Sequence, residues 1–244
     1  MKIIATIEAR MTSSRLPGKV LMRAARKPML EHLVNRLRSV PSLDGIVLAT
    51  TFNKADDVLE EFAKQVGMDC YRGSENDVMG RVIGAAESVD AEVVVEITGD
   101  CPIIDPQIVE QTIRMFKEHN ADYVSNTQVR SYPDGMDTQV FLLNTLKRSA
   151  AMTDNLLDRE HVSLHIRNHP ELFSSVHLVA PPEIHWPELG LTLDEFKDFQ
   201  LLKKIIEYLE PVNPLFSCLD IVRLLRTMPD WLEINQAVVR KGNT

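Results

Sequence analysis

Short apolar runs rich in Val and Ile alternate with segments of helical periodicity through the first half of the chain. Residues 3–7 (Ile3-Ile4-Ala5-Thr6-Ile7) read as a buried strand, because a nearly continuous apolar run suits a sheet covered on both faces. A polar loop follows, then a helix from Pro28 that puts Leu30, Leu33, Val34 and Leu37 on one side; proline in the first turn sacrifices no hydrogen bond. The same alternation predicts strands over 46–50, 68–71, 93–97 and 123–125, and helices over 55–66, 77–88 and 106–119. Ser74 or Asn76 is the expected N-cap of the helix at 77–88. Repeated strand–helix units of this kind imply an α/β fold with a mostly parallel, doubly wound, Rossmann-like sheet.

After about residue 126 the rhythm changes. Tyr132-Pro133-Asp134-Gly135 is a turn, 140–142 a strand, 145–152 and 159–168 helices, and 175–179 another strand. Residues 127–190 are therefore expected to form an inserted α+β subdomain within a single domain spanning 1–244, a length that supports one large core. The chain returns through Leu191-Thr192-Leu193-Asp194 and ends in helices at 195–209, after Ser217 and from Pro229.

Charge refines this picture. The chain carries 27 Lys+Arg against 35 Asp+Glu, a formal −8, which disfavours nucleic acid or an anionic membrane surface as partner. No apolar stretch approaches the roughly 18 residues of a membrane span, and the N-terminal apolar run is too short for a signal peptide, so a cytoplasmic protein is expected. Cys70, Cys101 and Cys218 lie far apart without a CxxC or His-rich neighbourhood and read as reduced thiols. The balance is uneven, however. Between Glu8 and Lys27 there are six basic residues and one acid, leaving 21 basic and 34 acidic residues elsewhere. An acidic body with its cations gathered after the first strand suits a small polyanion.

In open α/β sheets ligands bind beyond the carboxyl ends of the strands, so the loops there hold the candidate chemistry. The first, from Glu8 to Lys19, offers Arg10, Arg15 and Lys19 with Ser13 and Ser14 around a Pro17-Gly18 turn, a set able to hold a polyphosphate. It has neither the GxxxxGK[ST] nor the GxGxxG spacing. The second, Thr98-Gly99-Asp100-Cys101-Pro102, puts a carboxylate behind a glycine, either to hold a divalent cation or to cap a turn. The third ends in Asp194, either an N-cap for the helix at 195 or a second ligand for the same cation. His161 and His165 share a helical face without a matching third ligand, and Trp186 and Trp231 read as packing residues. No Ser or Cys sits in a nucleophile context.

Six motifs in order, ARMxSxRLPGKVL, RGSxxDV, ITGDCPIIDP, YPxGxD, REHV and LTxD, carry a resemblance to the cytidylyltransferase family. Its members include the CMP-sialic acid and CMP-Kdo synthetases and, nearest in pattern, the spore-coat polysaccharide biosynthesis type. The resemblance implies the nucleotide-diphospho-sugar transferase-like fold and transfer of CMP from CTP to an acidic sugar with loss of pyrophosphate, for polysaccharide or glycoconjugate synthesis. It implies Mg2+ as cofactor, held by Asp100 and Asp194, and a homodimer. Arg10, Ser13, Arg15 and Lys19 match the triphosphate loop, with Arg10, Arg15, Lys19 and Asp100 as the catalytic set. Arg72, Asp77 and Arg81 match the nucleoside side. Tyr132, Asp134, Asp137, Arg159, Glu160 and His161 match the acceptor side. The chain departs from the pattern at Glu8 (usually Gln), Thr12 (usually Gly), Arg26 (usually Gly), Gln139 (commonly an acid) and Gly190 (commonly basic). Two other readings stay open: a nucleotide-sugar-dependent glycosyltransferase, which would need a tight acid pair on one loop, and a non-catalytic nucleotide-binding relative.

Overall fold

A computed structural model describes residues 1–239. Seven strands build one sheet: β1 (Ile3–Glu8), β4 (Gly45–Thr51), β5 (Asp69–Gly73), β6 (Val93–Thr98), β7 (Tyr123–Ser125), β8 (Gln139–Leu142) and β9 (Ser175–His177), in the order β5-β4-β1-β6-β8-β7-β9. Every pairing is parallel except the two made by β8. Residues 127–190, expected as an inserted subdomain within the single domain, contribute β8 and β9 to the main sheet. Two further short strands, β2 (Arg23–Ala24) and β3 (Lys27–Pro28), form a hairpin. Its turn holds Ala25 and Arg26 at φ of 44° and 70°, which explains why glycine is usual where Arg26 stands.

Helices cover both faces. On one face α1 (Met29–Leu37), α2 (Asp57–Val66), α4 (Pro106–Glu118), α8 (Phe196–Leu209) and α9 (Cys218–Thr227) pack on Ile3, Ala5, Ile7, Val93, Val95 and Ile97. On the other, α3 (Val78–Ser88), α5 (Leu143–Ala150) and α7 (Leu164–Asn168) pack on Ile4, Val47, Val94, Tyr123 and Phe141. The alternation of β1 and β6 residues between the two cores is the period-2 geometry of a strand buried on both sides. The C-terminal helices are tied in by Arg36, whose buried guanidinium donates to the carbonyls of Ile104 (2.6 Å), Pro214 (3.3 Å) and Phe216.

Several expected boundaries shift. The first helix begins at Met29 because Pro28 belongs to β3, and the N-cap of α3 is Asp77, whose carboxylate accepts from the Gly80 amide at 2.8 Å. The single helix expected over 159–168 is two, α6 (Leu156–Glu160) and α7, because Val162 at φ 38° interrupts the helical path. From Pro229 the chain runs as a 3-10 helix, not an α-helix. Trp231 packs edge-on against Tyr208 at 5.8 Å, as expected of a packing residue, and Cys70, Cys101 and Cys218 are unpaired.

Candidate active site

The three loops singled out by sequence converge at the carboxyl ends of β1 and β6. The first is closed on itself: the Gly18 amide donates to the Met11 carbonyl at 2.9 Å and Lys19 N to Leu16 O at 3.2 Å, with Gly18 at φ 72° as that turn requires. The Pro-Gly turn thereby aims Lys19 across the sheet edge. Lys19 Nζ lies 3.4 Å from Asp100 Oδ2 and 3.2 Å from Asp194 Oδ1, and Arg15 Nη2 donates to the same Asp194 oxygen at 2.6 Å. The Thr98 hydroxyl holds the other Asp100 oxygen at 2.6 Å. Arg15 also carries a buried Nη1 with no hydrogen-bond partner, a donor left over after Asp194 is served.

Backbone contacts, not side chains, bring the two acids together. Leu193 N donates to Asp100 O at 2.8 Å, Leu191 N to Asp134 O at 2.7 Å and Asp134 N to Leu189 O at 2.9 Å, so residues 189–194 are clamped between the loop after β6 and the Tyr132-Pro133-Asp134-Gly135 turn. Gly99 permits the approach on the other side, since a Cβ there would meet Glu8 O at 2.8 Å. Asp194 is not the N-cap of α8; Glu195 takes that place in a capping box with Asp198. Its carboxylate is thus free of helix-capping duty and faces the cations.

The donor set fits a divalent cation. Two carboxylates already share one cation in Lys19, with the Thr98 and Thr192 hydroxyls beside them, and an all-oxygen set with two acids suits Mg2+ that keeps water and phosphate as its other ligands. Of the six basic residues between Glu8 and Lys27, Arg15 and Lys19 face this site; Lys27 pairs instead with Glu210 at 2.5 Å and Arg23 donates to the Arg26 carbonyl at 3.0 Å. Arg10 bonds Glu75 at 2.8 Å, and Thr12 bonds the same carboxylate oxygen at 2.9 Å. Thr12 keeps a negative φ, so the position does not need glycine, and its hydroxyl pins the loop instead. Asp56 adds a second anchor by accepting from Met11 N at 2.6 Å. Ser13 Oγ accepts from Leu16 N at 3.4 Å and shapes the same loop.

On the nucleoside side, Arg81 is buried, donates to Ser74 O at 2.5 Å and leaves its Nε unpartnered. Asp77 caps α3 and lies 3.6 Å from Arg159, so a residue expected on the nucleoside side meets one expected on the acceptor side. Arg72 is occupied by Asp57 (2.7 Å), Glu60 (3.2 Å) and two backbone carbonyls at the outer end of β5. On the acceptor side, Asp134 and Asp137 lie 3.9 and 3.7 Å from Arg130. Burial and the nearby Asp134 push the Asp137 carboxyl up to about 7. Tyr132 is buried within the core on the opposite face, and Glu160 and His161 are exposed at the end of α6.

The residues from 4 to 211 match the family model described as cytidylyltransferase. The chain belongs to the cytidylyltransferase family. It is 34% identical to the spore coat polysaccharide biosynthesis protein SpsF of Bacillus subtilis over 93% of this chain and 95% of that one. An 8-amino-3,8-dideoxy-manno-octulosonate cytidylyltransferase of Shewanella frigidimarina is 35% identical over 50% of this chain and 51% of its own. The solved structure of a cytidylyltransferase from Leptospira borgpetersenii superposes with a TM-score of 0.91 at 29% identity, covering 98% of this chain and 100% of that one. As a cytidylyltransferase the chain is a nucleotidyltransferase, which sets aside the glycosyltransferase reading. The acid that reading required beside Asp100 is also elsewhere: Asp105 caps α4 and accepts from Cys218 N at 2.7 Å. Among the described residues no helix is long and apolar enough to cross a membrane.

This cytidylyltransferase carries Glu8 where the family usually has Gln, and the structure resolves the charge conflict. Both Glu8 carboxyl oxygens are buried without a hydrogen-bond partner, and burial, with Glu96 close by, pushes the carboxyl well above the usual range. Burial thus favours the uncharged carboxyl, which takes the place of the neutral amide. Because the folded pKa is raised, the folded state keeps a proton that the unfolded chain releases above about pH 4.5, and stability falls as pH rises. Glu8→Gln removes that penalty. Thermal melts are expected to show the variant gaining on wild type as pH is raised from about 5 to about 8. Equal melting at both pH values would mean Glu8 is ionised in the fold.

Sequence reasoning missed Glu75, Asp56 and Thr98, which hold the loop and the acid. It also missed the polar residues Glu96, Ser125 and His177 inside the sheet. The one available signal was Glu96 itself, a carboxylate within Val93-Val94-Val95-Glu96-Ile97.

Proposed function

We propose that this cytidylyltransferase is a cytoplasmic, Mg2+-dependent enzyme that transfers CMP from CTP to an acidic sugar, releasing pyrophosphate, for polysaccharide or glycoconjugate synthesis. The observation that carries the reading is the convergence of Lys19 and Arg15 on Asp100 and Asp194 at one strand edge. In the resting arrangement the two acids hold the two cations. An incoming triphosphate offers Lys19, Arg15 and Arg10 stronger anionic partners, and the charge it brings is neutralised along the β- and γ-phosphates that leave. Asp100 and Asp194, released from the cations, would hold the metal. When bound, the metal polarises the phosphate oxygens and offsets the charge that develops on them. The acceptor oxygen attacks the α-phosphorus in line, the bond to pyrophosphate breaks, and the acceptor's proton passes to solvent or to a carboxylate. Such chemistry depends on positioning and charge, so it needs no covalent nucleophile. Arg81 and Asp77 serve the nucleoside side, and Asp134, Asp137 and Arg159 line the acceptor side.

The acidic acceptor is supported by the name of the Shewanella relative, which acts on an octulosonate. For the homodimer, support comes from Met152, Leu156 and Leu157, large apolar side chains exposed beside Arg159. A pyrophosphate-release screen of the four nucleoside triphosphates with Mg2+, against sugar acids, sugar phosphates and phosphonates, tests the reading. CTP with a sugar acid is expected to give equal amounts of pyrophosphate and CMP-sugar, and sugar transfer without pyrophosphate would overturn it.

A further inference from the structure

Residues 189–194, which carry Asp194 to the site, are held on a further side by the C-terminal segment. The 3-10 helix Pro229–Ile234 is seated on α8 through Trp231, whose ring meets Tyr208 edge-on and takes the Lys204 ammonium over its face at 4.4 Å. That seating delivers Asn235, the residue directly after the helix, into the protein interior. Its Nδ2 donates to Gly190 O at 3.0 Å and to Asp198 Oδ1 at 2.8 Å. The other Asp198 oxygen accepts from the amides of Asp194 (3.2 Å) and Glu195 (2.9 Å). Asn235 therefore holds the segment at Gly190 directly and at Asp194 through a single carboxylate.

Both partners of Nδ2 are acceptors, which fixes the orientation of the amide and uses both hydrogens of its NH2. An ionised Asp would bring no donor to this place and Ser only one. A buried carbonyl and a buried carboxylate lying side by side are costly unless such a donor joins them. The opposite side of the same segment is fixed by Leu193 N on Asp100 O and Leu191 N on Asp134 O, so Asp194 reaches Arg15 and Lys19 from a backbone held on both sides. The family match ends at residue 211, and Asn235 lies beyond it.

We propose that Asn235 is a positioning residue for the reaction: it sets the backbone from which Asp194 presents its carboxylate, and thereby the affinity of the site for its divalent cation. It touches no reacting group and acts through Asp198 and Gly190. Removing an outer partner of a metal-holding side chain typically weakens metal affinity by about 10- to 100-fold. An open groove lies against Trp186, Leu189, Gly190 and Asn235, so water can take the place of the lost donors and a truncated variant stays folded. This role rests on the Mg2+-dependent reading above and deepens it with a residue from the C-terminal segment.

The test compares full-length wild type, Asn235→Ala, Asn235→Ser and Leu232→Ala, the last a control that loosens the same 3-10 helix without touching the clamp. CTP affinity is measured by calorimetry across a range of Mg2+ concentrations, and amide hydrogen exchange of residues 189–195 is followed without nucleotide or metal. Asn235→Ala is expected to raise the Mg2+ concentration for half-maximal effect by about 10-fold or more, with CTP affinity at saturating Mg2+ near wild type. Exchange over 189–195 is expected to quicken in the same variant. Asn235→Ser, which keeps one donor, is expected to fall between the two, and it carries the comparison if Asn235→Ala does not fold. Leu232→Ala is expected to lower the melting temperature and leave the Mg2+ requirement alone. A Mg2+ requirement unchanged in both Asn235 variants, or shifted equally in Leu232→Ala, overturns the proposal whatever the exchange shows. Failure of the underlying reading is distinguishable, because it would appear as wild type whose CTP binding is absent or does not respond to Mg2+, which overturns both.

Discussion

Asp100→Asn is expected to lower CTP-dependent pyrophosphate release by on the order of 10³-fold while the protein stays folded. The substitution conserves shape, and the side-chain oxygen can still accept from the Thr98 hydroxyl that now lies 2.6 Å from Asp100. What disappears is one of the two negative charges that Lys19 bridges at 3.4 and 3.2 Å. A neutral amide holds a hard divalent cation weakly, and its NH2 faces the Lys19 ammonium in the resting state. Because the carboxylate is partly exposed, the stability change is expected to stay within about 1 kcal/mol, readable as a small shift in melting temperature. The informative comparison is Asp194→Asn. Asp194 alone engages both Arg15 and Lys19, so its loss also frees two cations and is expected to weaken nucleotide-free stability more than Asp100→Asn. Turnover by Asp100→Asn within threefold of wild type would remove Asp100 from the metal-holding pair.

Gly135→Ala is expected to cost about 2–4 kcal/mol of stability and, in whatever folds, on the order of 10²-fold in turnover. Gly135 lies at φ 103°, a region that L-residues avoid, and an added Cβ would meet Leu191 C at 2.7 Å and Leu191 O at 2.8 Å. Those are backbone atoms, so no side chain can rotate away to make room. The segment that must move is the one clamped by the Asp134 and Asp100 backbone bonds, and it carries Asp194 to Lys19 and Arg15. The effect on turnover is therefore positional: Gly135 touches none of the reacting groups. Denaturant unfolding together with turnover at 10 °C separates the two effects, and a variant as stable and as active as wild type would mean that the turn can rearrange freely.

Both substitutions act on groups whose sequence signals differed in kind. Asp100 was legible because a carboxylate directly after a Val-rich strand lies where open α/β sheets bind ligands. The loop from Glu8 to Lys19 was legible for the same reason, and its Pro17-Gly18 turn forms as its chemistry dictates. Gly135 was legible only as a turn residue. Its closeness to Leu191 is a contact across 56 positions, invisible to any local pattern. The strands and helices of the first half follow their periodicity to within a few residues, because a run such as 93–97 can bury both faces only inside a covered sheet. In the second half, the strands within residues 127–190 extend the main sheet, which their local pattern does not reveal. Residues 139–142 enter the sheet antiparallel beside β6, a long-range pairing that the segment's own composition does not specify.

The sequence by itself determined the α/β class, the cation-rich loop at the first strand end, the two acids at later strand ends, and the motif order that marks the family. These rest on local rules of period, turn chemistry and spacing. The tertiary structure alone decided which charges meet. It put Lys19 between Asp100 and Asp194, tied Arg72 into an outer network with Asp57 and Glu60, pushed the Glu8 carboxyl upward by burying it near Glu96, and lined up Thr6, Glu96, Gln139, Ser125 and His177 in one row. Those outcomes depend on strand register and on desolvation, which belong to the packed sheet as a whole and to no segment of it.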